Sequence, residues 1–279
     1  MLDPQIRQLA EGAGATAVAV ALHDLETGEA VSVGGDRSFH AASTMKVAVL
    51  AALLAAVADG RLRLDDRLHV RNRFRSAADG SPFQVDSGRD ANAAVFARRG
   101  RTMRLDTLAE HMIQTSSNLA TNLLVDLLGV EAIREATAHW GGEGVEVVRG
   151  VEDERAFEAG IVNTVTADGL VGLFVGLERG DGLDGDLRQV GLDVLLGQEF
   201  ASGIPAGLPS AVRDAARFAH KTGSISTVQH DAGLVYLPDR RPYALAVLTE
   251  WPADVADGRR ETVAACSRVV YEHLTRDDA

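Results

Sequence analysis

Ser43-Thr44-Met45-Lys46 stands directly before an apolar, alanine-rich run, Val47 to Ala58, and this stretch decides how the chain is expected to fold. Alanine and leucine favour helix, and Gly60 just past the run is a typical helix C-cap. Ser43 then lies at the helix N-terminus, with the Lys46 amine one turn on and within reach of its hydroxyl. A serine activated by a lysine is a nucleophile, and the free N–H groups of a helix N-terminus stabilise an oxyanion. The same four residues also fit an N-cap serine followed by an ordinary lysine.

Two later motifs favour the nucleophile. The first is Ser116-Ser117-Asn118, which precedes a predicted helix. The second is Lys221-Thr222-Gly223-Ser224, in a segment whose pattern predicts a strand followed by a turn. The order S-x-x-K, S-x-N, K-T-G is typical of class A β-lactamases and penicillin-binding proteins. The chain resembles that family over nearly its whole length.

The resemblance implies an α+β fold. An antiparallel β-sheet, flanked by N- and C-terminal helices, would carry the first and last segments of the chain, and an all-helical lobe would hold the middle. We therefore expect residues 1–40 and 210–279 to form a sheet domain and residues 41–209 a helical domain, with the active site at their interface.

The resemblance also implies site roles. Ser43 would attack the carbonyl of a β-lactam or a D-alanyl peptide, Lys46 would help to remove its proton, and Ser116 would relay a proton to the leaving nitrogen. The backbone N–H groups of Ser43 and Ser224 would form the oxyanion hole. The remaining substrate contacts would be an amide held by Asn118 and a carboxylate held by Lys221 and Thr222.

The motifs depart from the family pattern in three places. The middle motif has Ser117 where the family usually has aspartate. The expected Glu-Pro-Glu-Leu-Asn after Arg149 is absent, and Ala156 stands where its asparagine should be, so Glu152 is only the best candidate for the deacylating base. The competing acids are Asp153, Glu154 and Glu158. His230 could bind the substrate carboxylate in place of the family's arginine, or be a structural histidine of a strand.

Composition excludes several classes of protein. The 279 residues carry a net charge of -12, which argues against a nucleic-acid or anionic-membrane partner. The single cysteine, Cys266, cannot form an internal disulfide, and the eight histidines show no zinc-binding spacing. We expect a monomer that acts on a small molecule and needs neither metal nor cofactor. Without a signal-peptide pattern at Met1, the protein is cytoplasmic if the chain is complete, and periplasmic or secreted if a leader was removed.

Local patterns predict the elements around these motifs. A helix begins at Asp3 and Pro4, a hairpin follows over residues 16–33, and a helix over 260–274 closes the chain. Asp106 and Thr166 are expected helix caps. Residues 71–104 have no sustained period and hold eight arginines, which fits either a lid or a solvated loop whose arginines pair with Asp79, Asp86 and Asp90.

Three functions follow from these patterns. The first is a class A-like β-lactamase that works through an acyl-enzyme. The second is a D-alanyl-D-alanine carboxypeptidase, penicillin-binding protein or esterase that deacylates slowly. The third is a non-catalytic receptor for lactams or peptidoglycan fragments.

Overall fold

The computed structural model describes residues 2–276, in which strands concentrate at the two ends of the chain and helices in its middle. The strands are β1 Ala17–Asp24, β2 Ala30–Val33, β3 Phe39–His40, β4 Arg67–His69, β5 Phe74–Arg75, β6 Pro82–Phe83, β7 Thr102–Arg104, β8 Thr164–Val165, β9 Arg217–Ile225, β10 Val228–Tyr236 and β11 Tyr243–Glu250. The helices are α1 Leu2–Gly12, α2 Lys46–Ala58, α3 Ala93–Phe96, α4 Leu105–Gln114, α5 Asn118–Leu128, α6 Val130–His139, α7 Glu154–Glu158, α8 Ala167–Arg179, α9 Gly185–Leu196, α10 Ile204–Gly207, α11 Ser210–Arg213 and α12 Arg259–Leu274. One turn of 3-10 helix, Ala42–Met45, leads into α2.

The two ends of the chain form one antiparallel five-stranded sheet, in the order β2-β1-β11-β10-β9. Its register places Val20 opposite Val33 on one side and opposite Val247 on the other. The edge strand β9 pairs only with β10, so its other edge is free to lie against the 3-10 turn. The predicted α+β fold class is confirmed. The division into domains at residues 40 and 210 stays a prediction.

Alternation along the strands gives the sheet two buried faces. Val20 and Leu22 point to the face that α1 and α12 cover, whereas Ala19 and Ala21 point to the opposite face, against which α8 packs. Successive side chains of a strand point to opposite faces, which is why one strand serves both layers.

Helix α2 lies at the centre of the helical layer. Each residue from Val47 to Leu54 is between 0 and 2% exposed, and Lys46 is also fully buried. A helix that is apolar on every side is stable only when other elements surround it, and α4, α5, α6, α8 and α9 do so here. The position of Ser43 is therefore set by a helix that other elements enclose on every side.

Segment 71–104 is structured and packs on residues 149–158. Its hairpin β5–β6 is attached there because the Ser76 hydroxyl and the Ala77 N–H both donate to the Asp153 carboxylate, each at 2.8 Å. The expected pairing of this segment's arginines with its own acids is wrong for residues 2–276. Asp79 binds Arg155, and Asp90 binds Ser117 instead.

Two expectations about helix ends had different outcomes. Thr166 is the N-cap of α8 and accepts a hydrogen bond from Gly169 N, as predicted. Asp106 is not a cap, because α4 begins one residue earlier and the Asp106 carboxylate binds Arg104 and Thr107. Helix α9 was not predicted at all.

Both tryptophans are buried, and they lie in different layers. Trp140 follows α6, is 3% exposed and donates its indole N–H to Asp181 O. Trp251 follows β11, is 2% exposed and donates to the Thr249 hydroxyl. Within residues 2–276, every helix is too short or too polar to cross a bilayer.

Candidate active site

Ser43 lies half-buried in the 3-10 turn that precedes α2. The turn is fixed by two local hydrogen bonds, from Thr44 Oγ1 to Ala41 O at 2.6 Å and from Ala42 N to His40 Nδ1 at 3.0 Å. Strand β9 packs against it so closely that a Cβ on Gly223 would lie 3.1 Å from Ser43 N. The Ser43 hydroxyl is thus held at the edge of the sheet, beside the K-T-G motif.

Lys46 enters the site from the first turn of α2 and joins it to the second motif. Its Nζ lies 2.8 Å from Ser116 O, 3.1 Å from Ser116 Oγ and 2.9 Å from Asn118 Oδ1. Ser43 is not among the hydrogen-bond partners of this amine in the described chain. The structure therefore brings Lys46, Ser116 and Asn118 into one network, with Ser43 next to it.

Burial sets the charge of both motif lysines. Lys46 and Lys221 are fully buried. Burial, together with the nearby positive charge of Lys221, holds the pKa of Lys46 well below its ordinary value, although Asp90 and Glu152 oppose this shift. Burial likewise lowers the pKa of Lys221 to about 7, against the opposing field of Asp231. A lower pKa makes it easier for Lys46 to give up its proton and become the neutral amine, which can accept a proton.

Glu152 faces the same network. Its Oε1 accepts a hydrogen bond from Asn118 Nδ2 at 2.7 Å, and its Oε2 accepts from Asp86 N at 2.9 Å. It lines a cavity of about 520 Å³ together with Ser43. Glu152 is thus tied both to the S-x-N motif and to segment 71–104.

The three acids that competed with Glu152 lie in other environments. The buried Asp153 carboxylate caps α7 and binds the β5–β6 hairpin through Ser76. Glu154 pairs with Arg89 at 3.0 Å, and both side chains are exposed. Glu158 is exposed at the rim of the cavity. Of these acids, only Glu152 binds a motif residue within the described chain.

Backbone strain is concentrated here. Three of the four non-glycine residues with a positive φ in residues 2–276 belong to this site, Ala42 at 46°, Ser116 at 59° and Glu152 at 61°. Such conformations cost free energy and persist only where their surroundings hold them, and they cluster at functional sites.

His230 lines neither the cavity that Ser43 and Glu152 share nor the smaller cavity on the K-T-G side of Ser43. It is fully buried on β10, where its Nε2 donates to His40 O at 3.0 Å and its Nδ1 accepts from Thr249 N at 3.2 Å. Burial lowers its pKa to about 4, so the ring is neutral, in agreement with this pair of hydrogen bonds. This geometry matches the structural strand histidine and gives no support to a substrate contact.

A second cavity, of about 280 Å³, opens on the K-T-G side of Ser43. Ser116, Asn118, Thr222 and Ser224 line it together with Ser43. Sequence reasoning missed further lining residues, because no motif marks them and separate segments bring them in. They are Arg89, Phe200, Gln229 and Arg260.

Comparison with known proteins identifies the arrangement. The model of a family described as the beta-lactamase enzyme family matches residues 1–274. A β-lactamase from Streptomyces fradiae is 28% identical over an alignment of 267 positions, which covers 91% of this chain and 80% of that protein.

Solved structures of two kinds are similar to this chain. The structure of PBP-A has a TM-score of 0.82 and 28% identity, covering 99% of this chain and 96% of its own. A mutant of PBP-A is described as an acyl-enzyme complex with penicillin G. A mutant class A β-lactamase of the last common ancestor of Gram-negative bacteria, bound to a nitrobenzotriazole transition-state analogue, has a TM-score of 0.83 and 26% identity, covering 98% of each chain.

Proposed function

Because the chain belongs to the beta-lactamase enzyme family and is a serine hydrolase of the β-lactamase and penicillin-binding-protein type, we propose that it opens β-lactam rings through an acyl-enzyme on Ser43. The ester is then hydrolysed with Glu152 as the base. The observation that carries this proposal is the pair of hydrogen bonds at Asn118, which accepts from Lys46 and donates to Glu152 beside the Ser43 turn.

In acylation, the Ser43 hydroxyl oxygen bonds to the lactam carbonyl carbon and its proton passes to the neutral Lys46 amine. The carbonyl oxygen becomes an oxyanion, which the N–H groups of Ser43 and Ser224 stabilise. The carbon–nitrogen bond of the ring then breaks. The leaving nitrogen takes a proton through the Ser116 hydroxyl, which is 3.1 Å from Lys46 Nζ.

In deacylation, Glu152 takes a proton from a water molecule that attacks the ester carbonyl. The carbon–oxygen bond to Ser43 breaks, and the serine oxygen recovers a proton. The net reaction adds one water across the lactam amide. The cavity that Ser43 and Glu152 share is where this water and the acyl group are accommodated.

The substrate carboxylate binds on the other side of Ser43. Lys221 is fully buried and lines neither cavity, so it acts on the carboxylate through its positive charge. Thr222 and Ser224 of the K-T-G motif line the second cavity and supply contacts to this group. Arg260, at the start of α12, lines it as well and supplies a permanent positive charge, which the neutral His230 does not.

A penicillin-binding protein that deacylates slowly is the second candidate. The likeness to PBP-A, which is as extensive as the likeness to class A β-lactamases, favours it. The two candidates share acylation and differ only in how fast water cleaves the ester.

Stopped-flow mixing of the protein with a chromogenic cephalosporin separates them. We expect turnover beyond one equivalent and, with a penicillin, a transient added mass on the intact protein. A single burst with a lasting adduct would favour the penicillin-binding protein. Ser43→Ala is the control. Because this substitution removes only a hydroxyl in the turn before α2, the free energy of unfolding of the variant should lie within about 1 kcal/mol of the wild-type value. A penicillin adduct on this variant, or a wild type that shows neither turnover nor an adduct, would overturn the proposal.

A further inference from the structure

The Ser117 hydroxyl is fully buried and binds a partner from segment 71–104. It accepts from Ala120 N at 3.2 Å, as the N-cap of α5, and donates to Asp90 Oδ2 at 3.0 Å. Asp90 lies 27 residues earlier in the chain. The middle residue of the S-x-N motif is therefore held from outside the motif.

The same carboxylate oxygen makes a second contact with α5. Asp90 Oδ2 also accepts from Leu119 N at 2.9 Å, while its Oδ1 accepts from Asn92 N at 3.0 Å. The first N–H groups of a helix lack partners within the helix, and a negative charge at this end is stabilising. Asp90 thus binds the residues on both sides of Asn118.

Asn118 and Ser116 are the residues that hold Lys46. Ser116 has a φ of 59°, a left-handed conformation that costs a serine free energy and needs support from its neighbours. If the N-terminus of α5 shifted, the two oxygens of Ser116 and the Asn118 amide would move away from Lys46 Nζ together. The Asp90 carboxylate stabilises this turn through its hydrogen bonds with Ser117 and Leu119.

We propose that Asp90 is a positioning residue for acylation: from a separate segment it supplies the carboxylate that the family motif carries at the position of Ser117. This inference rests on the proposed function of the same site. Within residues 2–276, Asp90 lines neither of the two cavities beside Ser43 and makes no hydrogen bond to Ser43. It acts through Ser117 and Leu119 on the geometry of the S-x-N motif, and through its charge on Lys46.

Removing the negative charge of Asp90 should change the pH dependence of acylation, which a purely structural role would leave unchanged. The charged groups that affect Lys46 are Lys221, which lowers its pKa, and Asp90 and Glu152, which raise it, while burial is the largest cause. Asp90→Asn keeps the size and one acceptor oxygen but removes the charge. The pKa of Lys46 should fall, and the acidic limb of the acylation pH profile should move to lower pH.

The test compares acylation rates by penicillin, measured as added mass or as the cephalosporin burst. Asp90→Ala should acylate roughly tenfold to a hundredfold more slowly, since small displacements in an active site have effects of this size. The double variant D90A/S117D, which moves the carboxylate into the motif, should recover most of the loss. Asp79→Ala, in the same segment but bound to Arg155, is the matched control and should acylate normally.

Thermal unfolding of each variant separates positioning from folding. Unchanged acylation and an unchanged pH profile in Asp90→Ala and Asp90→Asn would overturn the inference. So would a loss that follows the melting temperature and is not restored in D90A/S117D. If the wild-type protein shows neither turnover nor an adduct, the proposed function fails. That outcome is distinct from a wild type that acylates and an Asp90→Ala variant that acylates equally well.

Discussion

Glu152 is the residue on which the rate of ester hydrolysis depends in the proposed mechanism. Glu152→Gln keeps the shape of the side chain and one acceptor oxygen but cannot take a proton from water. We expect near-normal acylation and a deacylation rate lower by roughly a hundredfold to ten-thousandfold. Pre-steady-state kinetics with a penicillin, followed by mass, measure both steps. Glu158→Gln, exposed at the rim of the same cavity, is the control. Normal deacylation in Glu152→Gln would move the search to Glu154 and Glu158.

Lys221 gives the site a pH dependence with a defined sign. Burial lowers its pKa to about 7, so the ammonium loses its proton as pH rises through neutrality. Binding of a substrate carboxylate should weaken over this range. We expect kcat/KM for an anionic lactam to fall between pH 6 and pH 8, on the order of tenfold, relative to a neutral ester. Lys221→Arg stays charged and should remove this difference. Parallel pH profiles for the two substrates in the wild type would contradict the assignment.

Gly223 of strand β9 lies directly against the Ser43 turn. A Cβ on Gly223 would lie 3.0 Å from Thr44 Cγ2 and 3.1 Å from the backbone nitrogens of Ser43 and Thr44. Backbone atoms cannot yield as a flexible side chain can, so Gly223→Ala should push the strand away from the turn. We expect acylation to slow by roughly a hundredfold, with a modest loss of stability. Gly185→Ala, where nothing lies within 4 Å of the added carbon, is the control and should acylate at the wild-type rate.

The elements that the sequence predicts correctly are those whose signals are local. The cap at Thr166, the alternation of β1 and the alanine-rich run of α2 each specify their structure within a few residues. Helix α9 has a local signal at its start, the N-cap Asp184, but two glycines weaken the helical pattern that follows. They are Gly185, its first residue, and Gly191, where the backbone packs against Leu54. Glycine weakens helix propensity, and tertiary contact decides the outcome.

Segment 71–104 shows why the site itself is harder to predict than the motifs. The Asp86 backbone N–H donates to Glu152, Arg89 pairs with Glu154 and Ser117 donates to the Asp90 carboxylate, and each contact joins residues far apart in the chain. The three motifs identify Ser43 and its neighbours because each motif is a run of three or four consecutive residues. Nothing in the local sequence shows which acid of a long connection reaches which motif.

At the scale of the whole molecule, the two ends of the chain and its middle share one core. Ala21 and Ala246 of the sheet belong to the same buried cluster as Leu53 of α2 and Phe174 of α8. A core that spans both layers couples their stability. We therefore expect the sheet and the helices to unfold together, although the two predicted domains could in principle fold separately.

The fluorescence of the two buried tryptophans can test whether the sheet and the helices unfold together. A buried indole emits at shorter wavelength than one in water, so each ring reports when its own surroundings open. Trp140→Phe leaves only the emission of Trp251 beside the sheet, and Trp251→Phe leaves only that of Trp140 among the helices. In a urea titration, the emission maximum of each single-tryptophan variant should shift at the same denaturant concentration, once the free energy of unfolding lost through each substitution is subtracted. Two well-separated unfolding midpoints would contradict this expectation and would mean that one layer unfolds while the other remains folded.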